Sequence, residues 1–229
     1  MIDQKKHDTI SMCQQHFPSS FHYKGLHIFL HPEVYEPAED TFLLLDTIDI
    51  NPAESVLEIG SGTGIISLWC AQHQANVIAS DINPFAIELL KKNIRKNTSD
   101  LRGILKARMG DMYDSIDPRE RFDVIIFNPP YLPEGSIEES KKLGWIDTAT
   151  NGGREGIQPS LRFLNKLPYH LKKRGRAYLI VSSFSTVERI QSTILVNDMH
   201  YKVLQQLRCN NELLEVYKIT LNPSHHISE

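Results

Sequence analysis

Little in this sequence of 229 residues points to a stapled, metal-held or membrane-embedded protein. Its three cysteines, Cys13, Cys70 and Cys209, are an odd number and lie far apart. No CxxC and no Cys/His ligand spacing occurs, so neither a disulfide framework nor a zinc site is indicated, and reduced thiols in a cytoplasmic setting are expected. No run approaches the ~18 apolar residues of a membrane span, and residues 1–15 are too polar for a signal peptide. The histidines are scattered, and His225-His226 sits in a polar tail. Net charge is only −3, so no global field draws the chain to nucleic acid. Internal repeats and low-complexity linkers are also missing. What remains is ordinary globular composition, 41% hydrophobic and 23% charged, on a chain long enough for an unaided core. Residues 1–20 are expected to be poorly ordered, 21–221 to form one domain, and 222–229 a polar tail.

Coarse patterning supplies the fold class. Residues 21–30 alternate around Lys24-Gly25, predicting a small hairpin, and a helix is expected over 37–48 with Pro37 in its first turn. Strands and helices then alternate: strand 55–59, helix 65–74, strand 76–80 closing at Asp81, and a helix from Asn83-Pro84 to about 97. Strands 104–108 and 124–127 follow, then helix 159–171, strand 177–182 and helix 186–196. Two last strands, 201–208 and 213–219, flank the turn residues Asn210-Asn211 and should pair antiparallel. The pattern predicts an α/β protein: a doubly wound, mostly parallel seven-stranded sheet ending in an antiparallel hairpin. Lys91-Lys92-Asn93-Ile94-Arg95-Lys96 reads as the solvated face of a helix. Residues 135–156 lack clear periodicity, and a loop of that length is expected to serve the substrate.

Asn128-Pro129-Pro130-Tyr131 follows the apolar run Val124 to Phe127, placing the asparagine just past a buried strand's C-terminal end. Ligands bind there in open α/β sheets. Two consecutive prolines remove two backbone donors and make the turn rigid. The Asn128 side-chain oxygen, the Pro129 carbonyl and the flat Tyr131 ring suit a planar NH2 group, either a glutamine amide or the exocyclic amine of adenine. Upstream, Glu58-Ile59-Gly60-Ser61-Gly62-Thr63-Gly64 joins a strand to a helix. Glycines there let the backbone turn sharply and approach a ligand. The spacing is GxGxG rather than the dinucleotide GxGxxG. Asp81 ends the next strand, where a carboxylate can accept both hydroxyls of a ribose. Asp111 ends the following one and could accept from an adenine amine beside Met112. Four successive strand ends thus carry polar groups on one rim.

These motifs in this order resemble a class I S-adenosylmethionine-dependent methyltransferase acting on a planar nitrogen, with its Rossmann-like sheet. Val34-Tyr35-Glu36-Pro37-Ala38-Glu39-Asp40-Thr41 sharpens the likeness. With Asn-Pro-Pro-Tyr it resembles the HemK-like protein-(glutamine-N5) methyltransferases, in particular the archaeal/eukaryotic branch that modifies the GGQ glutamine of a class I translation release factor. The resemblance implies S-adenosylmethionine contacts at Thr41, Glu58, Gly60, Gly62, Asp81, Asp111, Met112 and Asn128. Catalytic roles would fall to Asn128, Pro129 and Tyr131, without a metal. It also implies a tryptophan near Gly-Gly in the substrate loop; here Trp145 precedes Gly152-Gly153-Arg154. In that branch a small zinc-binding activator protein pairs along a sheet edge to give a heterodimer. An adenine-N6 methyltransferase acting on DNA or RNA is the alternative, since adenine presents a similar amine.

Overall fold

Which strands become central follows from their composition. Residues Ser55–Ile59 (β3) and Phe122–Phe127 (β6) are apolar on both faces, and Val56, Leu57, Val124, Ile125 and Ile126 are fully buried. Such strands are stable only between two covering layers. In this computed structural model, which describes residues 19–136 and 144–223, they lie side by side in a seven-stranded sheet. The sheet order is β5 (Leu105–Met109), β4 (Asn76–Asp81), β3, β6, β7 (Leu171–Ser182), β9 (Glu212–Leu221) and β8 (Met199–Cys209). All neighbours are parallel except β9, which runs antiparallel to both β7 and β8.

Alternate residues of the same strands feed two cores. Leu57, Ile125, Leu179 and Tyr217 pack with Phe163, Leu167 and Ile190 from α5 (Gln158–His170) and α6 (Val187–Val196). Val56, Ile126, Tyr178 and Val216 pack on the other face with Leu44 of α1 (Glu39–Thr47) and Leu68 of α2 (Ile65–Gln72). The doubly wound sheet is therefore observed, and with it the small hairpin, β1 (Ser20–Tyr23) and β2 (Leu26–Phe29).

The hairpin is fastened to the sheet domain by two asparagines. Leu26 and Ile28 are fully buried in the second core, each contributing about 1.5–3 kcal/mol of apolar burial. On the outer edge of β2, Asn93 and Asn97 of α3 (Pro84–Lys96) and its C-cap act as a substitute strand. Their side-chain oxygens accept from the Phe29 and His27 N–H groups at 2.8 Å, and their NH2 groups donate to the same residues' carbonyls. Within the basic run, Lys91, Lys92, Arg95 and Lys96 are exposed, whereas Asn93 is fully buried.

Four local expectations change. Helix α1 begins at Glu39, not Pro37, because Ala38 is still extended (φ −124°, ψ −165°) and Pro37 lies against the cavity described below. Strand β7 starts at Leu171, six residues early, across a register shift opposite Phe122 and Val124. Strand β8 starts at Met199. The aperiodic 135–156 stretch contains a short helix, α4 (Trp145–Thr150), too brief to leave a helical period in the sequence. Cys13, the His225-His226 pair and residues 137–143 of that stretch lie outside the described residues, as do most of the two terminal segments expected to be disordered or polar. Among the described residues no helix is long and apolar enough to cross a membrane.

Candidate active site

Because β5, β4, β3 and β6 are adjacent and parallel, their C-terminal ends line up Asp111, Asp81, the glycine loop and Asn128 in that spatial order. They border a cavity of about 390 Å³. Thr41, Glu58, Gly60, Gly62, Asp81, Asp111, Met112, Asn128, Pro129 and Tyr131, all singled out from sequence, line this one cavity.

The loop end is held by backbone geometry. Gly60, Gly62 and Gly64 have φ of 66°, 51° and 81°, the left-handed region that glycine enters without strain. A Cβ at Gly64 would also run into the Leu90 side chain, so the loop's close approach to α3 favours glycine there. The buried Asp81 carboxylate accepts from Gly62 N–H and from Asn83 N–H, both at 2.8 Å. It thereby ties the loop to the start of α3, where the Asn83 side chain caps the helix by accepting from Phe85 N–H. Burial raises the Asp81 carboxyl, an effect those backbone donors oppose. Beneath the loop, Glu58 is fully enclosed and hydrogen-bonded to the Ser67 hydroxyl, and burial pushes its carboxyl up to about 8. Asp111, at the far end, is paired with Arg162 of α5 at 2.7 Å, a contact sequence reasoning missed.

At the other end one carboxylate organises the Asn-Pro-Pro-Tyr turn. Asp40, 3% exposed in the first turn of α1, accepts from Asn128 Nδ2 at 3.0 Å and from the Tyr131 hydroxyl at 3.3 Å. The Tyr35 hydroxyl donates to it at 3.3 Å, as do Thr41 N–H at 2.6 Å and Thr41 Oγ1 at 3.2 Å. An ionised carboxylate can only accept, so the Asn128 NH2 must face Asp40 and its oxygen must face away. That oxygen, Asn128 Oδ1, is buried and has no hydrogen-bond partner among the described residues. A buried acceptor left unmatched is costly, so a donor from water or from a ligand in the cavity would satisfy it. Burial, and then the Asp40 charge, push both tyrosine phenols up, so both remain donors. Asp40 lies in the motif that carried the resemblance, but a first-turn acid reads from sequence as a helix-end charge.

The remaining wall comes from α4, whose Trp145, Thr148, Ala149 and Thr150 line the cavity beside Tyr131 and Leu132. Its C-terminal end is sewn to the turn: Leu132 N–H donates to Thr150 O at 3.0 Å, and Gly152 N–H to Leu132 O at 2.8 Å.

With this geometry in place, the relatives can be set beside it. The Methyltransferase small domain profile matches residues 29–208, most of the chain. The chain belongs to the methyltransferase small domain family. It is a methyltransferase. A protein of Methanocaldococcus jannaschii named as a protein N5-glutamine methyltransferase is 40% identical over 163 residues, covering 71% of this chain and 79% of that protein. Methyltransferase HEMK2 of Homo sapiens is 32% identical over 222 residues, covering 91% and 99%. Among solved structures, the E. cuniculi Mtq2–Trm112 complex, described as responsible for methylating the eRF1 translation termination factor, superposes with a TM-score of 0.64. At 23% identity, covering 83% of this chain and 99% of that one, it attests the fold.

Proposed function

We propose that this methyltransferase uses S-adenosylmethionine to methylate the side-chain amide nitrogen of a protein glutamine, the GGQ glutamine of a class I translation release factor. The observation that carries this reading is the Asn128 oxygen, buried, unpaired among the described residues and held in one orientation by Asp40. The name of the M. jannaschii relative, a protein N5-glutamine methyltransferase, supports it.

The cavity suits the cofactor. Its volume falls in the usual range for small-ligand sites, roughly 300–1,000 Å³. The glycine loop would pass close to the ligand, Asp81 would accept from the ribose hydroxyls, and Asp111 and Met112 would border the adenine. When bound, S-adenosylmethionine supplies an electrophilic methyl carbon on a sulfonium. The protein's task is the amide, a poor nucleophile because its lone pair is delocalised into the carbonyl. Asn128 Oδ1 and the Pro129 carbonyl accept its two N–H bonds and so aim its electron density into the cavity. Both acceptors also stabilise the positive charge that builds on nitrogen in the transition state, and holding the amide in place supplies proximity. Tyr131 packs on the amide or the neighbouring backbone.

A zinc-binding activator, forming a heterodimer, belongs to the same proposal. Strand β5 is an edge of the sheet; Ile104 just before it and Met109 at its end are 57% and 65% exposed. Such an edge can take an added strand. Residues 21–221 would act as one cytoplasmic catalytic domain.

Mass spectrometry of the release factor after incubation with S-adenosylmethionine, with and without the activator, tests the reading. One added methyl on the GGQ glutamine, absent with Asn128→Ala, is expected. No methylation in any mixture despite cofactor binding would overturn it and turn attention to adenine in nucleic acid. At the cofactor end, Asp81→Ala should weaken S-adenosylhomocysteine binding at least about tenfold, because the ribose loses its acceptor. The variant should also melt earlier, since the Gly62 and Asn83 N–H groups lose theirs, at about 1–3 kcal/mol for each left unsatisfied. Unchanged calorimetric affinity would reduce Asp81 to a loop brace.

A further inference from the structure

Glu33 lies between the hairpin and α1, and it touches both ends of the site. Its carbonyl accepts from the buried Asn83 Nδ2 at 2.7 Å. Its carboxylate accepts from the backbone N–H of Trp145, the first residue of α4, at 3.0 Å, although 112 positions separate the two residues. The carboxylate sits flush against the chain there: a Cβ on Gly144 would lie 2.6 Å from Glu33 Oε2. A continuous hydrogen-bonded path therefore runs from Gly62 through Asp81, Asn83 and Glu33 to Trp145.

Helix α4 needs such support. Six residues make fewer than two turns, too few to be helical alone. Leu132 fixes its C-terminal end, and Glu33 is the hydrogen-bond acceptor that meets its first N–H. A carboxylate on the first turn is also favoured by the helix's positive end. Between these two anchors, Trp145 and Thr148 face the cavity beside Tyr131.

We infer that Glu33 is a positioning residue: it seats the Trp145 helix as the substrate-side wall of the pocket and couples that wall to Asp81 at the cofactor end. This rests on the proposed glutamine reading for what the wall receives, but not for the coupling itself. Substrate affinity should then depend on Glu33, and filling the cofactor end should steady Trp145.

The test has an arm that needs no protein substrate. The chain has two tryptophans, so in a Trp69→Phe background Trp145 alone reports. Its emission is followed under acrylamide quenching, with and without S-adenosylhomocysteine. In the parent the ligand should protect Trp145. Glu33→Ala should raise quenching and abolish that protection, while Glu33→Gln, which keeps an acceptor oxygen at the same reach, should restore both. Kinetically, Glu33→Ala should raise KM for the release factor at least about tenfold with kcat little changed, the scale of one lost charge-assisted hydrogen bond. Quenching in Glu33→Ala equal to that of the parent would overturn the seating role. Ligand protection surviving in Glu33→Ala would overturn the coupling. If the parent fails to methylate the release factor, the glutamine reading falls and the quenching arm still decides the inference.

Discussion

Asn128→Ala should lower turnover by at least about a hundredfold while leaving the fold and most cofactor affinity intact, the scale of losing one oriented hydrogen-bonding group at a reacting centre. Asn128 Oδ1 is buried and, among the described residues, unmatched. Truncation removes that acceptor and one of the five donors that surround buried Asp40, so it should cost about one hydrogen bond of stability, roughly 1–3 kcal/mol, with the other four donors still in place. Asp40→Asn should damage turnover on a similar scale by a different route. An asparagine at 40 offers an NH2 to a site ringed by the Asn128, Tyr131, Tyr35 and Thr41 donors. The Asn128 amide can then turn over to pair with it and present its own NH2 to the substrate's NH2, two donors face to face. The two residues act as one unit, so the double variant should be scarcely slower than the worse single variant. Single-turnover rates with saturating cofactor would measure this. Near-normal rates in Asn128→Ala would remove the assigned role. Full additivity would mean that Asp40 acts on something other than the Asn128 amide.

The sheet and the glycine-loop end of the site were legible because their signals are local. A strand, a loop and an acid at the next strand's end fall in sequence order, and the parallel topology then brings those ends together. Asn128 was visible for the same reason. What escaped were contacts between distant segments. Asp40 reaches Asn128 across 88 positions and Glu33 reaches Trp145 across 112, and neither carboxylate differs in sequence from a helix-end charge. Arg162 on Asp111 escaped likewise, since its partner is 51 residues away. Helix α4 was missed for another reason: it is held by Leu132 and Glu33 rather than by its own propensity or an apolar stripe. Pro37 marked a helix start two residues early because the preference of proline for a first turn says nothing of a cavity that recruits the same residue.

Glu58→Gln should make stability and cofactor binding lose a pH dependence that the parent shows. Burial pushes the Glu58 carboxyl up to about 8, against an ordinary value near 4.3 in the unfolded chain. A raised carboxyl means the folded state favours the proton. The stabilising contribution is therefore whole below about pH 4.3 and is lost as pH climbs through about 8, amounting to a few kcal/mol across the window. Glutamine stays neutral throughout and can still bond to Ser67. Its melting temperature should match the parent's at about pH 4 and exceed it at about pH 9, values on either side of the window between the two carboxyl positions. Under the proposed function, a cofactor carrying positive charge favours ionised Glu58. Binding to the parent near neutral pH should then expel a proton, seen as a calorimetric enthalpy that varies with the buffer's own ionisation heat. The glutamine variant should show no such dependence. A parent that releases no proton and melts in step with Glu58→Gln at every pH would leave Glu58 as a hydrogen-bonded brace for the glycine loop, with the charge of the ligand met elsewhere.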